Sequence, residues 1–181
     1  MNGNTINYKC GWGNIDDNWK GRYPVGSCEV IYFLYTLGIF LIKINKTLKK
    51  FGYSETLVKE YGNWVVLLRK EQTTLGSLVL ICKENVIQFS KISNQAYHEL
   101  PQIIKEVEEV LKILFKYDKI NYLMLMMIDP NVHFHIIPRY SKERNFLGHE
   151  FKDIDWPGKP SLNNGNILTE ETFNQLKEKV Q

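Results

Sequence analysis

Apolar and polar positions follow regular patterns from about residue 46 onward, and the first such patterns predict strands. WVVLLRK at 64–70 and LGSLVLICK at 75–83 are apolar runs rich in branched side chains, separated by the polar stretch EQTT. Such a pair of runs around a short polar connection is typical of two antiparallel strands.

The next segment has helical periodicity over residues 93–115. Its apolar residues recur at intervals of three and four, with charged residues between them: Ile103, Ile104, Val107, Val110, Leu111 and Leu114. This spacing predicts a long amphipathic helix. Ser93 is a good N-cap residue, and Pro101 is expected either to kink the helix or to begin its main part.

Two further apolar runs, INYLMLMMI at 120–128 and VHFHIIPRY at 132–140, predict strands joined by the tight turn DPN. The polar tail 141–166 is expected to be irregular, and a short helix is predicted to begin at Thr169. The element order β, β, α, β, β predicts an α+β domain, with an antiparallel sheet of about five strands and one long helix packed on it.

The first part of the chain lacks lasting periodicity, so we expect residues 1–45 to form an extension and 46–181 the domain. Residues 30–42, VIYFLYTLGIFLI, are apolar. They are shorter than the roughly 20 residues of a membrane-spanning helix and begin too far from Met1 for an ordinary signal peptide. A buried element or a docked helix is therefore expected, with a membrane anchor as the alternative.

Composition and charge describe an ordinary globular protein. Of the 181 residues, 44% are hydrophobic and 24% charged, and the net charge of +3 does not predict a nucleic-acid partner. The three cysteines are odd in number and lack metal-ligand spacing, which favours reduced thiols and a cytoplasmic location. Cys82 lies in an apolar run and is expected to be a buried hydrophobic residue.

The candidate chemistry lies in DPNVHFHIIPRY at 129–140. Because strand side chains alternate between faces, Asn131, His133 and His135 are expected on one face and the apolar residues between them on the other. Two imidazoles about 7 Å apart can divide the labour on a phosphate, one attacking phosphorus and the other donating hydrogen bonds.

Residue types alone leave three interpretations open. The histidines could be catalytic, they could be structural, or they could bind a metal, since His-x-His pairs on strands commonly do so. A metal site usually needs a third protein ligand, and neither His98 nor His149 has a suggestive spacing.

The flanking residues favour catalysis, because NVHFHIIPR resembles the signature of the histidine-triad (HIT) superfamily, His-φ-His-φ-His-φ-φ with φ apolar. Asn131 stands in place of the first histidine. LGSLVLICKEN lies where the family has a Gly-His strand ending in Pro-Lys-x-His, with Asn85 at the last position. The resemblance covers residues 46–140, and DIDWPGKP is loosely similar to the family's C-terminal segment.

The resemblance implies a nucleotide hydrolase or nucleotidyltransferase, similar to diadenosine polyphosphate hydrolases, that needs no metal or other cofactor. His133 would attack the α-phosphorus, His135 would bind the phosphate and assist the leaving group, and Asn131 would be supportive. The substrate would be a dinucleoside polyphosphate or a nucleoside phosphoramidate. The predicted substrate-binding residues are Lys83, Asn85, Asp129 and Arg139.

One departure from the family concerns the DPN turn, which stands where the family has a longer phosphate-holding loop. It predicts a more open site with a different leaving group, a larger substrate or weak turnover. A nucleotide-binding protein with little turnover is therefore the second interpretation, and a metal-dependent enzyme the third. The resemblance also implies a homodimer.

Overall fold

The computed structural model describes residues 44–163 and 165–181, and these form an α+β fold, as predicted. Its centre is a five-stranded antiparallel sheet with strand order β1-β2-β4-β6-β5. The helices are α1 (Lys46–Lys50), α2 (Asn94–Phe115) and α3 (Glu170–Val180). The sheet strands are β1 (Leu57–Glu60), β2 (Trp64–Leu68), β4 (Leu78–Cys82), β5 (Lys119–Leu123) and β6 (His133–Arg139).

The structure confirms the long helix α2 that the periodicity of residues 93–115 predicts. The Ser93 hydroxyl caps its first turn by accepting a hydrogen bond from the Ala96 amide at 3.1 Å, and the helix continues through Pro101. Lys116 then ends it in the left-handed conformation, with φ 51°. The buried stripe consists of Ala96, Leu100, Ile103, Val107, Leu111 and Phe115. This stripe lies on the sheet and closes the main core.

Strands β2 and β4 are buried along their whole length because both faces of the sheet are covered. One face, which includes Trp64 and Leu80, packs against α2. The other, which includes Val65 and Ile81, packs against Leu48 of α1. Cys82 is buried as expected, and burial raises the pKa of its thiol to about 11.

The predicted strand at 120–128 is wrong beyond Leu123, where β5 ends. Residues 124–132 form a nine-residue connection rather than the three-residue turn DPN. Met126 adopts the left-handed conformation with φ 46°, which does not occur in a regular strand. Met127 and Ile128, which follow it, are 87% and 86% exposed. An apolar run without alternation does not reveal where a strand stops.

The tail is more regular than the sequence suggested. β7 (Arg144–Phe146) and β8 (His149–Phe151) form a hairpin. Leu147 and Gly148 connect them with φ values of 51° and 82°, as a tight hairpin turn requires. The short strands β3 (Glu71–Gln72) and β9 (Asn166–Ile167) also pair. As predicted, α3 follows Thr169, whose hydroxyl accepts a hydrogen bond from the Thr172 amide at 3.2 Å.

The predictions for residues 1–43, including the apolar run 30–42 and the cysteines Cys10 and Cys28, lie outside the described residues. Within 44–163 and 165–181, no helix has the length and apolar character needed to span a membrane.

Candidate active site

The two histidines of the motif lie on the same face of β6. Phe134 and Ile136, of opposite parity, belong to the core under α2. The rings of His133 and His135 meet edge to face with centroids 5.0 Å apart. Phe51, directly after α1, lies 5.9 Å and 5.7 Å from these two rings. The strand thus presents a close imidazole pair on the face that α1 covers.

His133 is oriented by the backbone. Its Nδ1 lies 2.7 Å from the carbonyl oxygen of Asn131, and because a carbonyl only accepts, Nδ1 must carry the proton. A neutral His133 then has its lone pair on Nε2. This is the tautomer that a nucleophilic imidazole requires.

His135 has the opposite arrangement. Its Nδ1 lies 2.7 Å from Nη1 of Arg69, and because a guanidinium only donates, Nδ1 accepts. The proton of the neutral ring is therefore on Nε2. Burial, the charge of Arg69 and the neighbouring His133 together lower the pKa of His135 to about 3. The pair thus combines one neutral ring whose lone pair is on Nε2 and one whose proton is on Nε2.

Asn131 is buried and uses its side chain to connect two other segments. Its Oδ1 accepts from Oγ1 of Thr47 at 3.2 Å and from the Thr47 amide at 3.4 Å. Its Nδ2 donates to Oδ1 of Asn85 at 3.1 Å. Asn131 therefore joins α1 to the segment after β4, and it brings Asn85 into the surroundings of the histidines.

Asp129 forms an ion pair with Lys50 of α1. Nζ of Lys50 lies 2.8 Å from Oδ1 of Asp129 and 2.9 Å from its Oδ2. Both charges act on His135, Asp129 raising its pKa and Lys50 lowering it. Asp129 is thus an electrostatic neighbour of the pair, with its carboxylate held by a lysine of α1.

The predicted cationic residues Arg139 and Lys83 have protein partners elsewhere. Every guanidinium nitrogen of Arg139 donates within the protein, with Asp153 accepting at 2.6 Å and 3.0 Å. Lys83 donates to Glu60 at 3.0 Å and to the Tyr61 carbonyl at 2.7 Å. The structure does not bring these two side chains into hydrogen bonding with the histidines, and their substrate-binding role stays a prediction.

Sequence reasoning missed Arg69, Phe51 and Thr47, which contact the motif directly or through hydrogen bonds. A signal for Arg69 was available. It directly follows strand β2 and continues the alternation of Val65 and Leu67, which lie on the α1 side of the sheet. The partner of Arg69 could not be predicted, because 66 residues separate it from His135.

The remaining histidines lie apart from the pair. His98 is exposed on α2, and Nε2 of His149 lies 3.2 Å from Oγ1 of Thr172. Among the described residues, no three His, Cys, Asp or Glu side chains form a group that could hold a metal ion.

This geometry agrees with a sequence match. Residues 53–142 match the model of the HIT domain family. The chain carries a domain of the HIT superfamily. The match spans α2, all five strands of the central sheet and both histidines of the pair. No curated protein matches the chain significantly.

Solved structures of HIT proteins share the fold. A histidine-triad protein from Sinorhizobium meliloti is 18% identical with a TM-score of 0.62, and the match covers 77% of this chain and 95% of that one. A histidine-triad protein from Marinobacter aquaeolei is 23% identical with a TM-score of 0.61, and the match covers 78% of this chain and 95% of that one. A hypothetical histidine triad nucleotide-binding protein from Sulfolobus tokodaii is 20% identical with a TM-score of 0.51, and the match covers 69% of this chain and 80% of that one. At these identities the likeness establishes the fold.

Proposed function

We propose that the HIT domain is a nucleotide hydrolase or nucleotidyltransferase that acts at the α-phosphate of a dinucleoside polyphosphate or a nucleoside phosphoramidate. His133 is the nucleophile, His135 the phosphate ligand and Asn131 the supporting residue. The catalytic domain comprises residues 46–181. The name of the nucleotide-binding relative from Sulfolobus tokodaii is consistent with this substrate class.

The observation that carries the proposal is the contact between His133 and the Asn131 carbonyl at 2.7 Å. It places the proton on Nδ1 and leaves the Nε2 lone pair of the neutral ring available for attack. The ring needs no separate base, because the attacking nitrogen carries no proton to remove.

The reaction then proceeds in two steps. Nε2 of His133 forms a bond to the α-phosphorus, while the bond from phosphorus to the leaving group breaks and its electron pair departs with that group. The Nε2–H of His135 donates to the phosphate oxygens, where negative charge accumulates. Water or another acceptor next forms a bond to the same phosphorus, while the bond from phosphorus to Nε2 breaks and its electron pair returns to the ring. The acceptor's proton passes to the departing group or to solvent, the nucleotide is released, and His133 is neutral again.

A turnover assay tests this function. The protein and a His133→Ala variant are each incubated with a dinucleoside polyphosphate and with a nucleoside phosphoramidate, in the presence of EDTA. We expect cleavage by the wild-type protein and none by the variant. Cleavage that EDTA abolishes and Zn²⁺ restores would contradict the proposal and favour a metal-dependent enzyme.

The burial of the pair favours a second candidate, a nucleotide-binding protein with little turnover. His133 and His135 are only 1% and 5% exposed, so little of either side chain is open to an incoming substrate. The same assay separates the candidates when it is combined with calorimetry. Binding of AMP without cleavage of either substrate would support the second candidate.

The proposal includes the homodimer that the HIT resemblance implies, and two features support it. Among the described residues, β5 pairs only with β6, which leaves its outer edge open to another strand. The connection after β5 contains the exposed apolar residues Met127 and Ile128, and Ile113 of α2 is 75% exposed. Exposed apolar residues next to an open edge are typical of an interface.

Sedimentation equilibrium tests the dimer, with Ile128→Glu as the disrupting variant. Ile167→Glu is a matched control, because Ile128 and Ile167 are both 86% exposed and Ile167 lies on β9. We expect a dimer for the wild type and the control, and a monomer for Ile128→Glu. A monomeric wild-type protein would contradict the dimer.

A further inference from the structure

Arg69 is a buried cation whose closest polar partner is a catalytic candidate rather than an acid. Its Nη1 lies 2.7 Å from Nδ1 of His135, and its Nε donates to the Glu71 carbonyl at 3.1 Å. Among the described residues, none of the ion pairs contains Arg69. Burying a guanidinium without a carboxylate is costly, so a role for it is to be expected.

The sheet register makes this contact possible. Leu67 of β2 pairs with Val79 of β4, and Val79 pairs with His135 of β6. Arg69 lies two residues beyond Leu67, and its amide donates to the Ser77 carbonyl at 3.1 Å. Its long side chain therefore extends diagonally across β4. Ser77, directly before β4, has the same parity as Val79 and one of the smallest side chains.

The charge of Arg69 has a defined chemical effect. A guanidinium stays protonated and donates only, so Nδ1 of His135 must remain unprotonated while the contact exists. A second positive charge on the imidazole at this distance is unfavourable. The ring is therefore neutral, with its single proton on Nε2.

We propose that Arg69 is the positioning residue for His135, fixing the tautomer whose Nε2–H donates to the substrate phosphate. The assignment rests on the proposed function, because that function gives His135 its role toward the phosphate. Arg69 acts through the imidazole. Without it, the His135 proton can move to Nδ1, and Nε2 becomes an acceptor that repels the phosphate oxygens.

The test is nitrogen NMR of protein labelled with ¹⁵N histidine, recorded from pH 5 to 8 for the wild type and for Arg69→Met and Arg69→Gln. In the wild type we expect His135 to show an unprotonated Nδ1 and a protonated Nε2 throughout. In Arg69→Met we expect mixed tautomers and a titration within this range. Arg69→Gln keeps a side-chain N–H donor and should retain more of the wild-type pattern. Arg144→Met, in β7, should leave the spectrum unchanged.

The kinetic expectation is a fall in kcat of about 10- to 100-fold for Arg69→Met, the range for losing a hydrogen bond to a charged group, with partial recovery in Arg69→Gln. A wild-type spectrum with protonated Nδ1 on His135 would overturn the inference, even if no variant folds. So would an unchanged His135 pattern in Arg69→Met. An intact Arg69–His135 pattern without turnover of any nucleotide would instead contradict the proposed function.

Discussion

The backbone carbonyl of Asn131 lies 2.7 Å from Nδ1 of His133, only two residues further along the chain. A backbone group orients the proposed nucleophile, so this contact does not depend on the side chain at position 131. The Asn131 side chain instead makes hydrogen bonds to Thr47 and Asn85. An asparagine in place of the first histidine of the family signature is therefore compatible with this tautomer of the proposed nucleophile.

Asn131→Ala is expected to reduce stability more than activity. The variant removes the buried acceptor of the Thr47 hydroxyl proton and of the Thr47 amide, at a cost of about 1–3 kcal/mol in the free energy of unfolding. Asn85 is exposed, so its side chain can bind water instead. A double-mutant cycle with Thr47→Val, followed by urea unfolding, should show that the two changes are coupled. Additive losses of stability would contradict this role. So would a 1,000-fold fall in kcat in a folded Asn131→Ala protein, which corresponds to about 4 kcal/mol in the activation free energy.

Arg139→Met is expected to destabilise the fold. The Arg139–Asp153 ion pair is buried, with side chains 3% and 2% exposed, and breaking such a pair costs about 3–5 kcal/mol. Lys152→Met is a suitable control because its ion pair with Glu143 is exposed and should contribute at most about 1 kcal/mol. Thermal unfolding measures both. A stable Arg139→Met protein with a raised KM would instead show that Arg139 binds substrate.

The lowered pKa of His135 should make the stability of the protein depend on pH. Its pKa is lowered to about 3 in the folded protein, below the ordinary value of about 6.5. Between these values the unfolded chain binds the proton more readily, so stability should fall as the pH decreases from about 6.5. Urea unfolding at pH 7.5, 6 and 5 should show that the free energy of unfolding falls less with decreasing pH in His135→Gln than in the wild type. His98→Gln, on the exposed face of α2, should keep the wild-type slope.

The sequence predicted those parts of the fold that depend on local patterns. The stripe containing Ile103 and Val107 identified α2, Ser93 identified its first turn, and alternation placed His133 and His135 on one face. These inferences succeed because helix and strand periods map side chains onto faces directly. The end of β5 at Leu123 was missed because the apolar run continues beyond it.

The partners of the candidate site could not be predicted, because they come from distant parts of the chain. Thr47 lies 84 residues from Asn131, and Arg69 lies 66 residues from His135. These contacts depend on sheet register and side-chain reach, neither of which residue spacing encodes. The predicted three-residue turn DPN is wrong, because the connection 124–132 has nine residues, and the open site inferred from that turn no longer follows.

The most direct test of the account is to trap the covalent intermediate. Wild-type, His133→Ala and His135→Gln proteins are mixed with a nucleoside phosphoramidate and quenched in base, and intact mass and peptide mapping locate any adduct. We predict one nucleotidyl group on His133 of the wild type, none in His133→Ala, and slower formation in His135→Gln. Turnover without an adduct, or an adduct on another residue, would contradict the assignment of His133 as nucleophile.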